Sequence, residues 1–226
     1  MGRTKIILYS ALFGAAVGAV ATLPKLRGLT STPLLVVDRV LAHRPEFVLA
    51  VLGWAAFSIH WELAAKSAPA RVSESSASRG LHVFLANAAL LLTMAPLHGW
   101  GRFAPLPSLL MPLGVALEAA GLFLAIWARR HLGRNWSGEI SIREDHQLIR
   151  TGPYRTLRHP IYTGLLAMYA GATLVTGEWL AVAGFLMAAL AYWRKIVLEE
   201  ANLKSAFGAD YDAYCRDSWA LLPGLL

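Results

Sequence analysis

Two short stretches hold most of the residues that could do chemistry. The first, RTGPYRTLRHPIYTG at residues 150 to 164, sets three arginines, a histidine and two prolines directly before an apolar run. Gly152-Pro153 marks a turn. His159 precedes Pro160, and a proline disfavours helix at the residue before it while suiting the first helical position itself. A helix is therefore predicted to start at Pro160. Its unpaired N–H groups and positive dipole end would lie beside Arg158 and His159, a site for an anion and above all for a carboxylate. The second stretch, YWRKIVLEEANLKSAFGADYDAYC at residues 192 to 215, has amphipathic helical spacing through Leu203, Phe207, Tyr211 and Tyr214. It carries Glu199 and Glu200 about two turns beyond an apolar segment. Two adjacent acids on a helix cannot face the same way, so one is expected to point into the site and the other to pair with a basic residue outside it. A ligand with both a carboxylate and a cationic group would find Arg and His for the first and Glu for the second.

The elements that must position these residues follow from hydropathy. The chain has 226 residues, 56% hydrophobic and 15% charged, and a mean hydropathy of +0.48, which points away from an ordinary soluble domain. A helix needs about 20 apolar residues to span the hydrocarbon core. Four windows qualify: Ile6 to Leu23, Phe47 to Leu63, Leu81 to His98 and Leu106 to Ala128. Two shorter runs, Ile161 to Thr176 and Trp179 to Trp193, are separated only by Gly177 and Glu178 and read as a tight helical hairpin. The fold class is therefore all-α, a polytopic integral membrane protein of five to six transmembrane helices. The hairpin returns the chain to one face and brings the polar segments 129–160 and 194–226 together, so that one site is expected to draw on both.

The net charge of +7 lies in membrane-flanking segments, with no soluble basic domain to form a nucleic-acid groove. With 129–160 and the tail on one side, that side holds sixteen Lys and Arg and the other five. This places the sixteen in the cytoplasm, although Lys25, Arg27, Arg39 and Arg44 share one outer loop. Arg3 and Lys5 before a run ending Ala19-Val20-Ala21 also resemble a secretory signal; Gly14 and Gly18 favour a retained packing helix. Leu34 to Ala42 suits an interfacial helix. Ala64 to Gly80, rich in Ser and Ala, reads as a mobile connector. The single Cys215 excludes an internal disulfide and a multi-cysteine zinc site.

Glu118 falls within the fourth window between Gly114 and Gly121, where an ionisable group is expensive and usually functional, although a structural hydrogen bond is equally compatible. His60, His82 and His98 read as interfacial or packing residues, and Tyr169, Trp179 and Trp193 as packing or aromatic-belt residues. Arg129, Arg130 and Arg134 read as inner-face charge, while Asn135 and Trp136 could border an acceptor entrance.

From about Leu106 to Leu222 the chain resembles the isoprenylcysteine carboxyl methyltransferases and, more distantly, the phospholipid N-methyltransferases. HQLIRTGPYRTLRHPIYTG at 146–164, the hairpin and EEANLKSAFGADYDAY at 199–214 carry the resemblance. It implies S-adenosylmethionine as cofactor, bound at the cytosolic membrane edge, and a lipophilic or lipidated acceptor arriving from the membrane lipids. Implied cofactor-binding residues are His146, Gln147, Leu148, Gly152, Tyr154, Arg158, His159, Tyr162, Glu199 and Glu200. Candidate catalytic residues are Arg158, Glu199 and Glu118. The soluble dinucleotide fingerprint is absent, and neither nucleic acid nor a metal is an expected partner.

Residues 1–105 align with no motif and are expected to shape the acceptor's route, with 106–226 as the methyltransferase core. Expected localisation is the cytoplasmic membrane of a bacterium or the endoplasmic reticulum of a eukaryote. Alternatives are a phospholipid-amine or small-thiol methyltransferase, a sterol-type reductase binding NADPH, and a transporter or non-catalytic membrane protein of the same fold. The crowding of polar groups at one face disfavours a transporter, whose polar groups would lie at the midplane of paired repeats.

Overall fold

The computed structural model describes residues 45–64, 71–72, 74–94, 101, 103, 109–133, 141–142 and 147–224. These form helices α1 (Pro45–Ala64), α2 (Ser76–Met94), α3 (Leu110–Leu132), α4 (Pro160–Thr176), α5 (Trp179–Phe207) and α6 (Ala209–Arg216), with a 3-10 turn at Gly152–Arg155 and two short strands, β1 (Arg71–Val72) and β2 (Ser141–Ile142). Helices α1, α2 and α3 occupy the second, third and fourth apolar windows, and α4 and α5 form the hairpin. The window Ile6 to Leu23, the interfacial segment 34–42, the region around His98 and residues 134–136 lie outside the described residues.

Helices α2, α3 and α5 are each long and apolar enough to cross a membrane. Their outward faces are apolar, with Ile59 on α1, Phe84 on α2, Phe123 on α3 and Leu190 on α5 all more than half exposed. Water would penalise such a surface and lipid would not, so the chain is read as an integral membrane protein. Helix α4, at 17 residues, is only about 25 Å long, whereas the 29 residues of α5 extend about 44 Å. Helix α5 therefore outreaches a hydrocarbon core of about 30 Å. Its last turns carry Glu199 and Glu200 out of the apolar layer.

The two strands pair antiparallel, Arg71 with Ile142 and Val72 with Ser141. Within the segment 64–80, which reads as a connector, residues 71–72 form β1 and residues 76–80 the first turn of α2.

Close backbone approach holds the membrane layer together. Gly114 faces Gly171 and Gly121 faces Gly164, so α3 and α4 run antiparallel. A Cβ on Gly114 would come 2.6 Å from the Gly171 carbonyl oxygen, and one on Gly164 2.5 Å from that of Gly121. Side chains cannot enter there, and the helices gain dispersion and Cα–H···O contacts instead. Helices α2 and α5 meet similarly at Gly184, where a Cβ would lie 2.7 Å from Ala89 O. The hairpin turn uses Gly177 in the left-handed region, φ 66°, with its N–H bonded to Thr173 O at 2.9 Å. Residues 101 and 103 cover that turn through Phe103 N–H to Gly177 O (3.1 Å) and Trp179 N–H to Gly101 O (3.3 Å).

Replacing Gly121 by Leu should force α3 and α4 apart and destabilise the detergent-solubilised protein by about 1–3 kcal/mol, the usual range for overpacking. Gly80 has nothing within 4 Å of an added Cβ, so Gly80→Ala should leave the melting temperature unchanged or raise it. Equal melting of both variants would show that the α3–α4 approach does not hold the bundle.

Candidate functional site

Helix α4 begins at Pro160, with His159 as its N-cap at φ −124° and ψ 56°, as the proline predicts. The hairpin sends α5 back past this point, and four charged side chains meet. Arg158 Nε donates to Glu200 Oε1 at 2.8 Å. His159 Nε2 lies 3.2 Å from the same oxygen, and its Nδ1 lies 3.6 Å from Glu199 Oε2. The Tyr162 hydroxyl donates to Glu199 Oε1 at 2.5 Å. Both acids therefore belong to the cluster, Glu200 through its pair with Arg158. They point about 100° apart around the helix, and the imidazole sits between them with one nitrogen toward each.

The carboxyl-terminal tail closes the flank of this cluster. Arg158 Nη1 donates to the carbonyls of Ser218 (2.5 Å) and Cys215 (3.3 Å), and the backbone N–H groups of Arg158 and His159 bond Trp219 O (2.7 Å) and Ala220 O (3.1 Å). The Arg158 side chain is only 10% exposed. Its guanidinium therefore clamps Glu200 and the tail in place, and it reaches an anion less openly than its position in the sequence suggests.

Buried charges are costly unless paired, and the pairing here shifts protonation. Burial alone would lower the His159 pKa, but hydrogen bonds and charge from Glu199 and Glu200 outweigh it and raise the imidazole above 6.5. Arg158 is held above its ordinary value in the same way, with burial opposing and Glu200 prevailing. The Tyr154 phenol is pushed up by burial, then by the Glu199 charge, so it remains a neutral hydroxyl.

Tyr154 is 6% exposed. Its hydroxyl and that of Tyr211 are buried and make no hydrogen bond among the described residues. Both lie near the acids, since Tyr154 senses the Glu199 charge and Tyr211 that of Glu200. Such orphaned hydroxyls fit a polar ligand that completes them. The 3-10 turn holds Tyr154 in place, because its carbonyl accepts from the Tyr214 hydroxyl at 2.6 Å. Gly152, at φ +59°, opens this turn, and an added Cβ would strike the His131 ring at 2.6 Å. His131 in turn meets Thr151 Oγ1 at 2.8 Å.

The remaining sequence candidates are placed differently. Gln147 is exposed and Leu148 half-buried on the stretch leading to the turn; His146 lies outside the described residues. Glu118 is not brought to the cluster. It packs at the level of Gly171, nine residues along α4 from Tyr162, which is about 14 Å.

Sequence reasoning missed a second polar group one turn from Glu199. Lys195 Nζ pairs with Glu74 Oε2 at 2.8 Å, the two side chains being 5% and 2% exposed, and Arg194 donates to Ser78 Oγ at 2.7 Å. The Tyr192 ring lies 5.3 Å from Tyr162 and 5.2 Å from His82. His82 was read as a packing residue and packs, while a pairing 121 residues apart leaves no local signal.

Residues 109–210 match the family model described as phospholipid methyltransferase. A probable protein-S-isoprenylcysteine O-methyltransferase of Oryza sativa subsp. indica is 33% identical over 97 residues, covering 40% of this chain and 49% of that one. Protein-S-isoprenylcysteine O-methyltransferase B of Arabidopsis thaliana is 33% identical over 109 residues, or 46% and 54%. The Schizosaccharomyces pombe protein-S-isoprenylcysteine O-methyltransferase is 30% identical over 100 residues, or 42% and 41%. The chain thus spans about half the length of the curated relatives it matches. The solved structure of a eukaryotic intramembrane Ras methyltransferase, isoprenylcysteine carboxyl methyltransferase, aligns over 98% of this chain and 97% of that one at 16% identity and a TM-score of 0.49.

The charge on His159 carries a testable pH dependence. A raised pKa means that its pairing stabilises the fold fully below 6.5 and that this contribution fades as pH rises through the raised value. The melting-temperature gap between the wild type and His159→Gln should therefore be widest below 6.5 and narrow in alkaline buffer. A gap that widens with pH would contradict the charged cluster.

Proposed function

We propose that this chain, related through its carboxyl-terminal half to the phospholipid and isoprenylcysteine methyltransferases, transfers a methyl group from S-adenosylmethionine to a lipophilic acceptor at the cytosolic edge of the membrane. The observation that carries the reading is the convergence of Arg158, His159 and Tyr162 on Glu199 and Glu200 beside two unpartnered tyrosine hydroxyls. That arrangement suits a zwitterionic ligand. Bound S-adenosylmethionine supplies an electrophilic methyl group on a cationic sulfur.

The residues of the chain then have separable duties. Glu199 and Glu200 offer acceptor oxygens to the ammonium end of the donor, and His159, with one nitrogen toward each acid, fixes both carboxylates. The Tyr154 and Tyr211 hydroxyls are available to the donor's remaining polar atoms, and Gly152 lets the turn that carries Tyr154 lie against the His131 ring. Gln147 and Leu148 lie on the stretch that leads into this turn. Arg158 is a positioning residue that fixes Glu200. Displacement at a sulfonium methyl needs alignment and exclusion of water above all, which the docked tail supplies on one side. A carboxylate acceptor needs no base. An amine or thiol would need a base, for which Glu199 is a candidate in the cluster.

The preference for a lipophilic acceptor rests on the apolar exterior of the helices and on the names of the relatives. Methylation of a phospholipid amine is the second reading, favoured by the family model that matches residues 109–210. The cytosolic placement of the pocket rests on the sixteen-to-five distribution of basic residues.

Calorimetry on the folded protein tests the reading. S-adenosylmethionine or its demethylated product should bind near stoichiometrically, and Glu200→Ala and Arg158→Ala should each weaken that binding at least about tenfold, since a charge-assisted bond contributes roughly 1.5–3 kcal/mol. Lys204→Ala, which removes only an exposed pair with Asp212, should have no effect. Binding of NADPH instead, or equal losses at all three positions, would overturn it.

A further inference from the structure

Glu118 has no role in the pocket just described, yet its surroundings are unusual for a helix in lipid. It is 3% exposed, and among the described residues neither carboxyl oxygen makes a hydrogen bond. Glycines make the space it occupies: a Cβ on Gly53 of α1 would lie 2.5 Å from Glu118 Oε1, and one on Gly171 of α4 would lie 2.9 Å from Glu118 Cβ. Trp54, next to Gly53, is 5% exposed, and its indole N–H also has no partner among the described residues. Its ring packs on Tyr169, 4.7 Å away, two residues before Gly171. An acceptor oxygen and a donor N–H are thus left unsatisfied at one junction of α1, α3 and α4, at a depth where water cannot complete them.

We propose that Glu118 and Trp54 form a recognition point inside the bilayer for an uncharged hydroxyl or amide on the apolar body of the acceptor. Such a group donates to the Glu118 carboxyl and accepts from the Trp54 indole, satisfying both at once. An ammonium could not accept, and a carboxylate would face an acid. The level of Glu118, about 14 Å from Tyr162 along α4, sets the spacing between this group and the atom that is methylated. The inference rests on the methyl-transfer reading and narrows its acceptor class to amphiphiles carrying a mid-chain hydroxyl or amide rather than plain hydrocarbon tails.

The test uses the full chain in lipid nanodiscs, labelled S-adenosylmethionine and a total membrane lipid extract. Glu118→Leu should raise the apparent KM for the extract at least tenfold while donor affinity stays within twofold, and Trp54→Phe should raise it several-fold. Glu118→Gln, which keeps a carbonyl acceptor and fits the same space, should stay within threefold of wild type. A second measurement does not depend on turnover: the lipophilic carbodiimide N,N′-dicyclohexylcarbodiimide should label Glu118, and the extract should protect it. Unchanged transfer by Glu118→Leu, loss in Glu118→Gln equal to that in Glu118→Leu, or labelling indifferent to the extract would each overturn the proposal. A wild-type protein that binds no S-adenosylmethionine would overturn the methyl-transfer reading instead, and protection from the carbodiimide would still decide the role of Glu118.

Discussion

One buried imidazole shared between two carboxylates sets the conditions that the rest of the structure meets. His159 is 5% exposed, and an ionised side chain at that burial persists only when opposite charge and hydrogen bonds surround it. Glu199 and Glu200 supply both, but only if α5 arrives at the right height and rotation. Hence the two-residue hairpin turn at Gly177 and Glu178, the uninterrupted run of α5 past the apolar layer, and the start of α4 fixed by Pro160. The tail then adds its carbonyls to Arg158, which holds the guanidinium in place.

The membrane layer holds this cluster at a distance. Glycine-mediated approach of α3 to α4 lets two backbones lie side by side without intervening side chains, so the N-terminal end of α4 is positioned by packing along its whole length. Helix α3 serves both ends of that contact. His131 supports the turn at Gly152 at one end, and Glu118 sits deep in the layer. The charged cluster and the buried Glu118 thereby lie at different levels of one helix pair.

Much of this was legible because it is local. Pro160 after His159 marks a helix start, and Gly177-Glu178 between apolar runs marks a hairpin. Gly114 and Gly121 at helical spacing mark a packing face. These signals depend on neighbours within two turns. The ion pair of Glu74 with Lys195, the docking of residues 215–221 on Arg158 and the orphaned hydroxyls of Tyr154 and Tyr211 depend on residues far apart in the chain, and no periodicity encodes them. The adjacent acids point about 100° apart, and Glu200 pairs with a basic residue, Arg158; that the His159 imidazole lies between the two is a contact between distant segments with no local signal. Glu118 was singled out correctly as an unusual residue, but the sequence did not reveal its distance from the charged cluster.

The central claim is that the Arg-His segment, the two glutamates and the docked tail form one ligand-binding unit. Hydrogen–deuterium exchange with and without S-adenosylmethionine reads this directly, because a ligand that completes the cluster must slow local opening there. The account predicts concerted protection of segments 152–163, 196–203 and 211–221 on adding the donor, with α2 unchanged. Binding without protection in those three segments, or with protection confined to α1 and α2, would contradict it.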